Sequence, residues 1–117
     1  MKIVLSNGLF DHLNHGHIAH LFAAKALGDI LIVAVTADDH AETKPLYLEQ
    51  DRAALVRALS CVDHVMVVTG LLDALKICRP HILAQGREYQ YTGLGEVYAV
   101  YCQMHGVEIA FTDTPKE

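Results

Sequence analysis

Residues 30–35 read Ile-Leu-Ile-Val-Ala-Val, apolar at every position and rich in β-branched side chains. A strand with one face in water alternates polar and apolar residues. A strand with no polar face has to be covered on both sides. Few architectures meet that requirement, chiefly a parallel sheet packed between two layers of helix. The run ends in Thr36-Ala37-Asp38-Asp39, so polar groups collect at its carboxyl end.

The rest of the chain alternates in the same sense. Lys2 to Leu5 reads as a first strand, stopped by Asn7-Gly8. From Gly16 the apolar spacing changes to three and four (Ile18, Leu21, Phe22), which predicts a helix running to Leu27, with Gly28 where a C-terminal cap belongs. His40 to Leu48 is loop-like; Pro45 keeps Lys44 out of a helix and leaves it on an exposed, mobile segment. Glu49 to Leu59 predicts a helix with Leu55, Val56 and Leu59 on its apolar face and Arg52 and Arg57 elsewhere. Then come a strand over 62–68, a helix over 71–78 ended by Arg79-Pro80, and a strand over 81–84 leading into Gln85-Gly86-Arg87-Glu88-Tyr89. A helix over 94–105 capped by Gly106 and a strand over 107–111 complete the pattern. Alternation of this kind means right-handed βαβ units, a parallel sheet and helices on both faces. Ligands of such sheets sit at the carboxyl ends of strands, where strand order reverses. The segments that gather there are 6–17, 36–45 and 85–89, which are also the ones richest in polar and glycine residues.

At 117 residues, 52% of them hydrophobic, the chain makes one domain with a full core. A net charge of −5 without a run of Lys or Arg argues against a nucleic-acid or anionic-membrane surface, and leaves a small anionic ligand open. The three cysteines are far apart and form no Cys-x-x-Cys pair, which fits reduced thiols in a cytoplasmic protein. No apolar stretch reaches the roughly 18 residues of a membrane span. The chain opens directly on a strand, so no signal peptide is expected.

Ser6 to His17 (Ser-Asn-Gly-Leu-Phe-Asp-His-Leu-Asn-His-Gly-His) is the turn between the first strand and the first helix. A helix N-terminus presents backbone N–H groups and favours anions, so phosphate chemistry is expected here. Four histidines, at 12, 15, 17 and 20, crowd this region, but only Asp11 is at hand to complete a metal set, and no metal held by protein side chains is expected. Asp11 itself is expected to cap the helix or fix the turn.

These residues resemble the cytidylyltransferase-like nucleotidyltransferases over nearly the whole chain. Asn7-Gly8-Leu9-Phe10-Asp11 is similar to the family's Gly-Phe-Asp opening, and Asn14-His15-Gly16-His17 lies where it has His-x-Gly-His. Leu27-Gly28-Asp29, Asp38, Lys44-Pro45, Asp51-Arg52-Ala53 and Val62-Asp63 keep the family's order, and Gln85-Gly86-Arg87-Glu88-Tyr89 resembles its Gly-Gly-Asp-Tyr segment. Here Asn14 replaces the family's first histidine, and Gln85 stands where many relatives have Lys.

The resemblance implies a Rossmann-like five-stranded parallel sheet in the order 3-2-1-4-5. It implies a single nucleotidyltransferase domain over residues 1–117, without the Ser/Thr-rich turn and helix with which relatives continue. The implied reaction moves CMP or AMP from CTP or ATP to a small phosphorylated polyol or sugar, of the glycerol 3-phosphate or heptose 1-phosphate type, and releases pyrophosphate. His17, Lys44 and Asn14 become the catalytic candidates. Gly8, Leu9, Phe10, Gly16, Gln85, Gly86, Glu88 and Tyr89 join them as nucleotide-binding residues, and Asp38, Arg52 and Lys76 are candidates for binding the acceptor. Mg²⁺ is expected to accompany the triphosphate. A homodimer is expected, with the Tyr98–Met104 helix as a possible interface. The alternative, drawn from Asn14, Gln85 and the missing tail, is a degenerate or truncated relative that binds a nucleotide or sugar phosphate without transfer.

Overall fold

The computed structural model describes residues 1–41, 44–87 and 95–113, and the backbone alone of His40 and Glu96. Its elements are β1 (Ile3–Gly8), α1 (His15–Lys25), β2 (Ile30–Thr36), a short 3₁₀ turn (Asp38–His40), α2 (Glu49–Arg57), β3 (His64–Val68), α3 (Leu71–Cys78), β4 (Ile82–Gly86), α4 (Glu96–His105) and β5 (Glu108–Thr112). The five strands form one sheet in the order β3-β2-β1-β4-β5, and every pairing is parallel.

The uninterrupted apolar run has the expected cause. Successive side chains of a strand point to opposite faces, and here both faces are buried. Val4, Leu31, Val33, Val35, Ile82 and Ala84 face one core, closed by Leu21 and Ala24 of α1 and by Ala53 and Val56 of α2. Leu5, Ala34 and Leu83 face the other, closed by Leu71, Ala74 and Leu75 of α3 and by Cys102 of α4. Cys61 and Cys102 are buried, Cys78 is half-buried, and all three are free thiols. Burial pushes their pKa up, as expected of inert core cysteines.

Two expectations fail on particular residues. The apolar spacing of α2 put Leu55 inside and Arg52 outside. In the structure Leu55 is 49% exposed, and Arg52 is fully buried with Ala53 and Val56. Gly28 was read as a helix cap, but α1 ends at Ala26 in ordinary right-handed geometry. Gly28 is needed for space: a Cβ there would lie 2.7 Å from Val4 Cγ2 and 2.9 Å from the Lys2 carbonyl oxygen. The chain passes that close because the N–H groups of Asp29 and Ile30 both donate to Lys2 O, which sets the start of β2 beside β1.

Strand β1 pairs with β2 along its whole length, from Ile3–Ile30 to Gly8–Val35. Its pairing with β4 covers only Val4–Ile82 and Leu5–Leu83. Past those pairs β1 and β4 part, and a crevice opens at their carboxyl ends. This is where the order reverses, between a chain that has built outward through β2 and β3 and one that returns through β4 and β5.

Gly28→Ala is expected to destabilise the domain by about 1–3 kcal/mol through overpacking against Val4 and Lys2. A thermal unfolding midpoint equal to that of the wild type would show that the contact yields without cost.

Candidate active site

The crevice is a cleft of about 550 Å³ lined by Asn7, Gly8, Leu9, Phe10, Asp11, His12, Asn14, Gly16, His17, His20, Gln85 and Gly86. The turn from β1 to α1 forms most of it. Phe10 has a φ of 55°, a left-handed conformation that a bulky residue adopts only when its surroundings hold it. Its ring is buried and meets His17 edge-on at 5.4 Å between centroids. Gly8 makes room for that ring, since a Cβ there would come within 3.0 Å of it.

Arg52 holds the turn from behind. Its Nη1 donates to the carbonyl oxygens of Leu9 at 2.7 Å and Thr36 at 2.8 Å, its Nε donates to the Tyr47 carbonyl at 2.9 Å, and its Nη2 pairs with Asp38 at 2.6 Å. One guanidinium thus joins the turn after β1, the end of β2, the 44–48 loop and the 3₁₀ turn. Asp38 also accepts the N–H of Glu49, while the Glu49 carboxylate accepts the N–H of Asp38. That exchange caps α2, whose own N-cap residue, Leu48, supplies no side-chain bond.

Asp11 does not cap α1. Its two carboxylate oxygens accept the N–H groups of Leu46 at 2.8 Å and Tyr47 at 2.9 Å, anchoring the loop that carries Lys44. Those two bonds hold its carboxyl below the usual aspartate range. The cap of α1 is Asn14, which accepts the His17 N–H at 3.1 Å, and His17 Nδ1 accepts the Asn14 N–H at 3.3 Å in return. This reciprocal capping box settles the imidazole tautomer. With Nδ1 accepting, the neutral ring carries its proton on Nε2.

A polar chain crosses the floor of the cleft. His20, one turn after His17, lies 2.7 Å from Ser6 Oγ through Nε2 and 2.5 Å from Thr112 Oγ1 through Nδ1. Ser6 and Thr112 are buried, so the chain ties α1 to both β1 and β5. Beside it, Gln85 Nε2 donates to Asn7 Oδ1 at 2.8 Å, bridging β1 and β4 where their ladder has ended.

The structure therefore brings Gly8, Leu9, Phe10, Asn14, Gly16, His17, Gln85 and Gly86 of the sequence candidates into one cleft. Arg52 and Asp38, expected to bind the acceptor, are instead committed to each other and to the backbone. Arg52 has no exposed surface with which to meet a ligand. Lys76, the third candidate for the acceptor, lies on the last turn of α3 in a separate hollow with Arg79, Tyr101 and His105, near the amino ends of the strands and away from the cleft. Lys44 is exposed on the anchored loop and does not line the cleft. Glu88 and Tyr89 lie outside the described residues. Sequence reasoning placed Ser6, Asn7 and His12 in this turn and weighed His12 and His20 only as metal ligands, and it gave none of them, nor Thr112, a role of its own in the site. Ser6 and Asn7 carried a signal, as polar residues closing an apolar strand. The bond from His20 to Thr112 spans 92 positions and left none.

Among the described residues, no three His, Cys, Asp or Glu side chains are grouped to hold a metal ion. No helix among them is long and apolar enough to cross a membrane.

Replacing Arg52 with Met leaves three carbonyls without their donor and Asp38 unpaired; the expected loss is about 3–5 kcal/mol in a urea titration. Arg52→Lys is expected to recover little of it, because one ammonium cannot span the same acceptors. The Asp11 anchor is expected to be acid-sensitive. Its folded pKa lies below the ordinary value of 3.8, so its contribution is complete above that value and is lost as pH falls through the folded pKa. Amide exchange at Leu46 and Tyr47 should accelerate, beyond the intrinsic pH effect, in acid and in Asp11→Ala at neutral pH. Protection that survives both conditions would mean the loop is held by other groups.

The cytidylyltransferase-like family model matches residues 5–86, from the middle of β1 to the end of β4. The chain is 44% identical over 98 residues to the bifunctional protein HldE of Helicobacter acinonychis, a match that covers 75% of this chain and 20% of that protein. It is 37% identical over 100 residues to HldE of Pelobacter propionicus, covering 80% of this chain and 20% of the relative. It thus spans about one fifth of the length of these relatives. Among solved structures, the lipopolysaccharide core biosynthesis protein of Thermoplasma volcanium superposes with a TM-score of 0.79 at 27% identity, over 100% of this chain and 98% of that one. Pantothenate synthetase of Thermus thermophilus shares the fold, with a TM-score of 0.72 at 17% identity over 100% of this chain and 57% of that one. With the family's motifs gathered at the strand-order reversal and its model matched from residue 5 to residue 86, the chain belongs to the cytidylyltransferase-like nucleotidyltransferase family.

Proposed function

We propose that this domain transfers a nucleoside monophosphate, AMP or CMP, from its triphosphate to a small phosphorylated sugar and releases pyrophosphate. The observation that carries the reading is His17: an imidazole locked by the α1 capping box, with Nε2–H left to donate at the mouth of a helix and in the cleft where strand order reverses. A sugar phosphate is favoured over glycerol phosphate as acceptor because the matched relatives include HldE, and a structural neighbour is described as a lipopolysaccharide core biosynthesis protein. Family membership and an intact His17 favour transfer over a binding-only role.

The acceptor's phosphate oxygen attacks the α-phosphorus, the bond to the bridging oxygen breaks, and pyrophosphate leaves with that electron pair. No protein nucleophile is required. The protein's task is to position both partners and stabilise the charge on the transferring group. His17 Nε2 donates to a non-bridging oxygen of the α-phosphate. The Leu9 carbonyl is turned toward Arg52. In a trans peptide the N–H points the opposite way, so we assign the Phe10 N–H to the same phosphate. Lys44, on its anchored loop, neutralises charge on the triphosphate tail. A Mg²⁺ ion accompanying the triphosphate would supply further charge neutralisation on its tail. Exposed Val97, Val100 and Met104 on α4 support pairing of two copies through that helix, and the free thiols fit a reducing cytoplasm.

His17→Ala is expected to lower kcat by about 10²–10³-fold, the usual effect of losing one transition-state donor. The fold should persist, because the backbone N–H of residue 17 still reaches Asn14. The assay is pyrophosphate release with Mg²⁺, ATP or CTP, and a panel of sugar and polyol phosphates. Release that depends on one triphosphate and one acceptor names both substrates. Turnover in His17→Ala equal to the wild type would remove His17 from the mechanism.

A further inference from the structure

A cleft meant for a polyphosphate is expected to carry lysines or arginines, yet none of the described residues lining this one is either. Its groups able to bear positive charge are three imidazoles, at His12, His17 and His20. Two are committed: His17 Nδ1 to the Asn14 N–H, and His20, through both nitrogens, to Ser6 and Thr112. His12 differs. Among the described residues neither of its ring nitrogens is hydrogen-bonded to the protein, and the side chain is exposed at the cleft's edge.

The ring is nevertheless not loose. It packs edge-on against Tyr47, 5.7 Å between centroids at an interplanar angle of 79°. Tyr47 is itself fixed on both sides of its backbone, its N–H bound by Asp11 and its carbonyl by buried Arg52. The neighbouring Asp11 carboxylate has both oxygens turned to backbone N–H groups of the 44–48 loop, and so does not occupy the imidazole. An exposed side chain ordinarily gives up rotamer freedom when it binds; a ring already resting against a neighbour whose backbone is anchored gives up less. His15, although next in the crowd of histidines, does not line the cleft.

We propose that His12 is a second phosphate-binding imidazole of the site, engaging the anion at the Tyr47 side of the cleft while His17 serves the transferring phosphorus. This rests on the nucleotidyl-transfer reading above. The shared chemistry is a phosphate oxyanion, belonging either to the triphosphate tail or to the acceptor, and the kinetics separate the two.

The first test titrates inorganic tripolyphosphate, which has neither base nor sugar, into the full chain by calorimetry at neutral pH. The wild type should bind. His12→Leu should bind roughly tenfold more weakly, the scale of one lost bond to a charged group. His12→Lys should recover much of the loss, and His15→Leu should match the wild type. Equal affinity in His12→Leu and the wild type overturns the inference and leaves the cleft's role standing. So does a His12→Lys protein no better than His12→Leu, since the loss would then be one of shape. No binding by the wild type overturns both readings. In turnover assays His12→Leu should raise one KM about tenfold with kcat nearly unchanged. A raised KM for the triphosphate puts His12 on its tail, and a raised KM for the sugar phosphate puts it on the acceptor. A fall in kcat with both KM values unchanged would put His12 on the transition state rather than on a bound phosphate and end the proposal.

Discussion

The buried guanidinium of Arg52 is the interaction on which the geometry of the cleft depends. Burying a charge is costly unless it is paired and its donors are satisfied. Here the carboxylate of Asp38 provides the pair, and three carbonyls from separate segments take the remaining bonds. The carbonyls of Leu9 and Tyr47 lie outside the strands, and that of Thr36 belongs to the last residue of β2. One planar donor group therefore does for three loose ends what a sheet does for its interior. An apolar side chain of the same volume would fill the space without fixing the direction of any of them.

The constraint propagates to the chemistry. With Leu9 held by Arg52, Phe10 is driven into a left-handed turn, and its ring finds the space left by Gly8. That ring is one wall of the His17 imidazole, and Asn14 fixes the other side of the same ring. The group facing the cleft is thus set by two non-covalent contacts before any ligand arrives. Such preorganisation avoids reorientation during the reaction, which is where electrostatic catalysis gains most of its effect.

Much of this was legible in the sequence, for identifiable reasons. The apolar run of β2 dictated a doubly covered sheet, and the glycines and histidines after β1 marked the turn. The reversal of strand order gave the place where they meet. Arg52 was misread because helical periodicity scores a charged residue as outward-facing, and nothing local reveals that three distant carbonyls need a donor. Leu55 was misread for the complementary reason. Lys76 was credited for its charge, although its position at the end of α3 puts it near the opposite edge of the sheet. His20 could not be placed, because its meaning lies in Thr112, which is reached only after four further strands have been laid down.

That last separation bears on how the protein comes into being. As a nascent chain leaves the ribosome, β1 and α1 emerge early, and β2 and β3 can join them as a local unit. The other flank of β1 waits for β4, and Nδ1 of the His20 imidazole waits for the final strand to bring Thr112. Domains whose central strand pairs with late segments fold slowly, since a long loop closes before those contacts form. The cleft is consequently among the last features to take shape, and a half-made chain presents a sheet edge at β1 where the finished protein presents a binding site.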